Sequence, residues 1–489
     1  MLHKEKYYRE HVWPKWLQEF RHASRSALLL HGIMGSELYD KRERDTVWVD
    51  MGIWHEVDNL ELKKLTPRGA IDTDSQFLYA RSTVHPPVVS DPYSEILEQL
   101  NPGRFNYDWR DSIPIEAQRL AQFLDMLFNE HNEPIQFVTH SMGGCVLLWL
   151  LSQTDRFDDR ISRIIFVAPP FHGALKPIRV IEEGTGTPAD WLIRNSVLRR
   201  SAATFPGLFQ ILVAQKGAWP TELPRPASTP IRLKYPIRAA ASLYDPGAWT
   251  NRYRMRLRGK ILEFAKRFHH RIWNQSSRIV QRQGLAGKIT VLVGLNGKTA
   301  YSATRHDREW QIHRLENPPD GKVSNGDGTV LFQSSFLPGL STDAYWAYVP
   351  QRRRNVHGSI MDEKPVIDAL RTLLSGDDLS ATENIVPYSD FIDRIDWRRE
   401  AQEAVDPARN TELDYLERAS ARATTPRRRW GRALNPKGND ALLFSMTRAA
   451  ALRVILGESD CATECELTGQ PENFLLEHMQ TLLMPVLYG

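Results

Sequence analysis

Short, unbroken apolar runs recur through the first half of the chain, and each stops at a turn rich in glycine or proline. ALLL (27–30) runs into HGIMGS (31–36), IQFVT (135–139) into HSMGG, and RIIFVA (163–168) into a Pro-Pro break. Runs this short, bounded by turn residues, predict strands buried on both faces. Between the first two, Ile115, Leu120, Leu124, Leu127 and Phe128 fall near one face at helical spacing. After the second comes the apolar stretch CVLLWLL (145–151), which predicts a buried helix. Strand, helix, strand, helix, strand in quick succession predicts a mostly parallel sheet with flanking helices, an α/β fold.

The pattern lapses over 173–287, which is broken by Pro and Gly and carries a basic stretch at 251–273. The strand signal returns at KITVLVG (288–294) and AYWAYV (344–349), and VIDALRTLLS (366–375) predicts a closing helix. The expected organisation is an N-terminal arm (1–25), a core made of 26–172 and 288–378, a helical cap insertion (173–287) and a C-terminal helical extension (379–489).

Composition narrows the class. The 489 residues favour several domains or one large domain with insertions. Hydrophobic residues at 42% exclude wholly disordered and collagen-like chains, and 63 Lys+Arg against 59 Asp+Glu leaves too little excess charge for a bulk nucleic-acid binder. The three cysteines, Cys145, Cys461 and Cys465, cannot form a disulfide framework. With His478, the last two make only three ligands, short of a structural zinc set, so no metal and no cofactor is expected. The opening MLHKEKYYREHVWPKW lacks the apolar core of a secretion signal, and the expected location is cytoplasmic.

The candidate chemistry sits in FVTHSMGGCVLLWL (137–150). A strand passes through a sharp turn into a helix, which lifts the hydroxyl of Ser141 clear of the sheet edge. There the N–H groups of the helix N-terminus favour developing negative charge. The nucleophile-elbow pattern is G-x-S-x-G, and Thr139 occupies its first position. A serine nucleophile needs a base oriented by a carboxylate, and on such sheets the chain order is Ser, acid, His. Asp327 in SNGDGTV (324–330) and His357 in NVHGS (355–359) fit that order and follow strands. Taken alone, Asp327 reads as an Asp-Gly turn and His357 as a loop histidine. His306 and His313 precede Asp327 and break the order, and His31 and His140 lie too near the turn to act as the base. The oxyanion donors expected are the backbone N–H of Met142 and that of Ile33 or Met34 in the HGIMGS loop.

Several of these segments together resemble the lecithin:cholesterol acyltransferase family of α/β-hydrolases. They are HGIMGSEL (31–38), TVWVD (46–50), YDWR (107–110), THSMGG (139–144), FPGLFQIL (205–212), NGDGTV (325–330) and His357, in family order. The resemblance implies an α/β-hydrolase core with a cap and a lid. It also implies transfer of an acyl chain from a glycerophospholipid or related ester to an acceptor alcohol or to water. It assigns Ser141 as nucleophile, Asp327 as triad acid and His357 as base, with an oxyanion donor in the HGIM loop. Thr139 and the lack of a secretion signal and disulfide set depart from the best-known extracellular members and point to an intracellular, bacterial-type member.

The function expected is a serine acylhydrolase on lipid esters, of phospholipase A or lipase type, with acyltransfer as its variant. The alternatives are a partner-regulated or oligomerising effector that uses residues 379–489, and a hydrolase of small soluble esters or thioesters. Within 252–271, eight Lys/Arg (Arg252, Arg254, Arg256, Arg258, Lys260, Lys266, Arg267, Arg271) stand against Glu263, with apolar residues interleaved. This predicts a basic amphipathic cap helix able to meet anionic lipid, a solvated helix face being the competing reading. Trp48 and Trp54 are lid or substrate candidates, with core packing as the competing reading.

Overall fold

The computed structural model describes residues 2–41, 44–48, 60–61, 64–65, 71–72, 78–83, 92–185, 195–226, 228–239, 241–253, 255–306, 309–315 and 317–401. Trp54, Arg254, Cys461, Cys465, His478 and all but the first part of the expected C-terminal extension lie outside these.

A seven-stranded sheet forms the centre. Its strands are β1 (Ala27–Leu30), β2 (Gly103–Phe105), β3 (Ile135–His140), β4 (Ile161–Val167), β5 (Ile289–Gly294), β6 (Tyr345–Tyr348) and β7 (Ile385–Pro387). The spatial order is β2-β1-β3-β4-β5-β6-β7, parallel throughout except for antiparallel β7 at the edge. The chain steps from β1 out to β2, then returns to lay β3 on the other side of β1. The order therefore reverses between β1 and β3, and in open α/β sheets the crevice at the carboxyl ends of such a pair is where ligands bind.

The helices are α1 (Leu2–Tyr7), α2 (Trp13–Arg21), α3 (Ser94–Leu100), α4 (Ile113–Glu130), α5 (Met142–Gln153), α6 (Lys176–Glu183), α7 (Asn195–Ala202), α8 (Pro206–Gln210), α9 (Met255–Val280), α10 (Lys364–Leu374) and α11 (Tyr388–Phe391). Alternate residues of each strand feed opposite faces of the sheet. Leu29, Val138, Ile165 and Leu292 pack with Ile96 of α3 and with Ile367, Leu370 and Leu373 of α10. Leu28, Leu30, Phe137, Ile164 and Val291 join the larger cluster of α2, α4, α5 and α9. Helix α5 is apolar nearly all round because α4 and α9 flank it above the sheet.

The chain departs from the expected organisation in three places. The sheet runs past 378, because β7 pairs with β6 and residues up to Ala401 belong to the same compact unit. A strand of three residues is too short to leave a periodic signal. The insertion also holds two-residue strands (Glu222–Leu223, Ile231–Arg232 and Ile237–Arg238) beside its helices. Finally, the N-terminal residues are packed structure: Trp13, Trp16, Leu17 and Phe20 are buried, and Trp16 meets Phe105 of β2 edge-on.

Candidate active site

Strand β3 is held on both sides, with Leu30 opposite Thr139 and Val167 opposite His140. The chain then turns sharply. Ser141 adopts φ 51° and ψ −122°, a strained conformation for any residue but glycine, and its N–H donates to the carbonyl of Val167 at 2.9 Å. Met142 opens α5, so its N–H has no acceptor within the helix. A Cβ at Gly143 would stand 2.5 Å from the carbonyl oxygens of both Leu30 and His31. Only glycine lets the first turn of α5 lie this close to the end of β1.

Asp327 reaches the same edge by a detour. After β5 the chain makes the hairpin Ala300–His306/Glu309–Arg314 and comes back. Asn296 N–H then bonds the Ser324 carbonyl at 2.9 Å, and Gly297 N–H bonds that of Gly326 at 2.8 Å. The acid-bearing loop is thereby fastened to the end of β5. The loop after β6 is fastened to it in turn: Val356 and His357 both donate N–H to the Asp327 carbonyl, at 2.9 and 3.1 Å.

These loops bring three side chains into line. His357 Nε2 lies 3.0 Å from Ser141 Oγ, and Nδ1 lies 2.7 Å from Asp327 Oδ2. Asp327 Oδ1 accepts the N–H groups of Thr329 and Val330 at 2.9 and 2.7 Å. An ionised carboxylate can only accept, so Nδ1 carries the imidazole proton and Nε2 is left to accept from the serine hydroxyl. Ser141 and Asp327 are buried, and the His357 side chain keeps 13% of its surface exposed.

Ile33 and Met34 lie half-buried in the loop after β1, where Gly35 N–H turns back to the Gly32 carbonyl at 3.1 Å and Met34 takes φ 65°. Trp48 is buried. It is 4% exposed, stacks edge-on against Trp109 at 5.2 Å and donates its indole N–H to the Met34 carbonyl at 3.3 Å. Its ring thus packs in the core and supports the 31–35 loop from beneath. His313 bonds Thr304 across the hairpin, and His31 stacks on Tyr107 with its pKa pushed by burial down to about 4.

Two residues beside the site left no sequence signal of their role. Tyr93 Oη lies 2.8 Å from His140 Nδ1, and His140 Nε2 lies 3.0 Å from the His357 carbonyl. Neither pairing could have been read without the fold, because Tyr93 belongs to no periodic run. Among the described residues, no cluster of His, Cys, Asp or Glu could hold a metal ion.

The mostly parallel sheet with helices on both faces, and with the loops carrying Ser141, Asp327 and His357 at its carboxyl edge, gives the chain an α/β-hydrolase fold. Residues 103–223 match the family model described as lecithin:cholesterol acyltransferase, so over that span the chain is similar to that family. The matched span includes Ser141 and stops short of Asp327 and His357. A chicken protein, phosphatidylcholine-sterol acyltransferase, is 30% identical over 123 residues, 24% of this chain and 29% of that one. An uncharacterized protein of Saccharomyces cerevisiae is 28% identical over 196 residues, 35% of this chain and 27% of its own length. The chain thus spans under a third of each of these relatives. Among solved structures, that titled as the Tle4-Tli4 complex gives a TM-score of 0.43 at 12% identity, covering 72% of this chain and 99% of that chain. The mature Bacillus licheniformis lipase BlEst2 gives 0.30 at 12% identity, covering 72% and 92%.

Proposed function

We propose that the chain is a serine acylhydrolase that cleaves carboxylic esters of lipids. The observation that carries this reading is the aligned set Ser141 Oγ, His357 and Asp327, with the serine held at positive φ at the head of α5. Ser141 Oγ attacks the ester carbonyl while His357 Nε2 takes its proton, and Asp327 keeps the imidazole in the required tautomer. The negative charge of the tetrahedral intermediate falls on the N–H of Met142 and on that of Ile33 or Met34. His357 returns the proton to the departing alcohol. Water, or an acceptor alcohol, then attacks the acyl-serine and gives its proton to His357, which passes it to the departing Ser141 Oγ as the acid or the new ester is released.

The lipid part of the reading is supported by the match of residues 103–223 and by the chemistry of α9. Ile261, Leu262, Ala265, Phe268 and Ile272 of that helix are buried against the core, while Arg256, Lys260, Lys266, Arg267 and Arg271 are exposed. The apolar side is already occupied, so this helix would meet a bilayer through charge alone, at an anionic surface. Among the described residues, no helix is long and apolar enough to cross a membrane.

The test is product analysis by mass spectrometry on phospholipid vesicles, comparing the wild-type chain with Ser141→Ala. Serine-dependent release of fatty acid or transfer of an acyl group is expected. Cleavage confined to short soluble esters would replace lipid by small esters or thioesters as the substrate. A protein that fails to react with a fluorophosphonate at Ser141 would not be a serine hydrolase at all.

A further inference from the structure

We infer that Tyr93 and His140 are positioning residues, a hydrogen-bonded bridge that sets the oxyanion loop, the serine turn and the histidine loop in one fixed frame. The inference rests on the proposed role of Ser141 and His357. It adds two residues outside the proposed Ser141, Asp327 and His357 set.

The bridge has three links. Gly32 N–H lies 2.7 Å from Tyr93 Oη, Tyr93 Oη lies 2.8 Å from His140 Nδ1, and His140 Nε2 lies 3.0 Å from the backbone carbonyl of His357. Their directions are forced. A carbonyl only accepts, so Nε2 of His140 carries a hydrogen. In the neutral ring Nδ1 is then bare and accepts, so the Tyr93 hydroxyl donates to it and takes the Gly32 N–H on its oxygen. Burial supports the neutral ring: desolvation, first, and the neighbouring His357 hold the pKa of His140 well below its ordinary value.

Each end of the bridge adjoins a group used in the proposed chemistry. Gly32 immediately precedes Ile33, one of the two residues offered as an oxyanion donor. Its backbone comes close enough to the serine turn that a Cβ there would stand 3.0 Å from His140 Nδ1 and 3.1 Å from Ser141 Cβ. The other end grips the main chain of the residue that bears the base. His140 itself directly precedes the nucleophile in sequence. Thus donor loop, nucleophile and base are cross-braced through buried side chains, Tyr93 at 2% and His140 at 5% exposure. A misplacement of about 1 Å among such groups can cost on the order of a hundredfold in rate.

The experiment is inactivation by a fluorophosphonate, which separates the maximal labelling rate from probe affinity, on Tyr93→Phe, His140→Gln and Ser141→Ala. Thermal melting accompanies each measurement. Tyr93→Phe removes one oxygen and should slow the maximal labelling rate by about tenfold or more, with the probe's half-saturation concentration within about twofold. His140→Gln keeps an N–H for the His357 carbonyl and loses the acceptor for Tyr93, so it should fall between Tyr93→Phe and wild type. Maximal rates equal to wild type in a folded Tyr93→Phe would overturn the bridge, as would losses that merely track the folded fraction. If Tyr93→Phe does not fold, His140→Gln carries the test with the same readouts. Failure of the underlying reading looks different: the wild-type chain would not be labelled, or Ser141→Ala would be labelled equally.

Discussion

Asp327 grips His357 twice, through a carboxylate oxygen 2.7 Å from the ring Nδ1 and through its own carbonyl, which accepts the His357 N–H at 3.1 Å. The second contact is backbone and survives a change of side chain. Asp327→Asn should therefore leave the histidine loop in place and change only what the ring meets. Its amide oxygen can keep the Thr329 and Val330 N–H bonds, which points the NH2 group at Nδ1. The imidazole must then carry its proton on Nε2, where it cannot take one from Ser141. We expect kcat to fall by about 10⁴-fold with an unchanged melting temperature. A loss below tenfold in steady-state kinetics would remove Asp327 from the mechanism.

The sharp turn at Ser141, the post-strand loops carrying Asp327 and His357, and the core strands were legible because each leaves a local pattern. A buried parallel strand is a continuous apolar run, and a strand-turn-helix with small flanking residues has few other uses. What stayed hidden depends on distant partners. Three-residue β2 and β7 exist because β1 and β6 offer them an edge. For Trp48 the sequence left lid and core packing both open, since an aromatic side chain at an interface and one in a core share the same letter. Only its contact with Trp109 separates the two. The Tyr93–His140 bridge joins residues 47 apart, and no spacing rule reaches that far.

The N-terminal helices are fastened by a buried ion pair. Lys4 Nζ lies 2.9 Å from Asp108 Oδ2, which also accepts from Arg110 at 2.7 Å, and all three side chains are nearly inaccessible. Burial alone would raise the Asp108 pKa, but Arg110 and Lys4 outweigh it and hold the carboxyl well below the usual carboxylate range. A depressed folded pKa adds stability above the unfolded value, near 4, and that stability is lost as pH falls toward the folded value. Lys4→Met should therefore cost about 3 kcal/mol at pH 7. Its deficit against wild type in urea unfolding should shrink as pH drops below about 4. A deficit independent of pH would mean that α1 is held by packing alone.

His269 sits on the buried side of α9, edge-on to Tyr244 at 6.2 Å. Burial first, and then His172 and His270, push its pKa down to about 3. In the unfolded chain an imidazole protonates near 6.5, so between 6.5 and 3 the unfolded state binds the extra proton and stability falls with pH. His269→Phe removes this term. Relative to wild type, its unfolding free energy should improve by about 2 kcal/mol on going from pH 7 to pH 5. A difference that stays constant across that interval would show that His269 does not titrate on unfolding.

The exposed cations of α9 give the proposed lipid contact a measurable signature. Arg267 is paired with Glu263 at 3.0 Å, so Lys260 and Lys266 are the cleaner targets. Reversing both, as Lys260→Glu and Lys266→Glu, should weaken sedimentation with phosphatidylglycerol vesicles by more than about tenfold, at about 1 kcal/mol per charge. The same binding should fade as salt rises. Binding that is indifferent to salt and to both reversals would move the membrane contact away from this helix.

Thr139 stands where an elbow ordinarily has glycine, and the packing explains how it fits. The residue is fully buried in the middle of the sheet, between Leu30 on β1 and Phe166 on β4. A Cβ added to Gly144 would come within 3.3 Å of Thr139 Oγ1, so the threonine fills space that the second glycine of α5 leaves open. Bulk has moved from the helix to the strand, where a β-branched residue is favoured. Thr139→Gly would restore the usual pattern yet leave a cavity and loosen a central strand. The expected result is a loss of about 1–3 kcal/mol in stability, with the maximal rate of fluorophosphonate labelling at Ser141 unchanged. A labelling rate that rises or falls severalfold in the folded variant would show instead that Thr139 sets the position of the nucleophile, beyond filling the space beneath it.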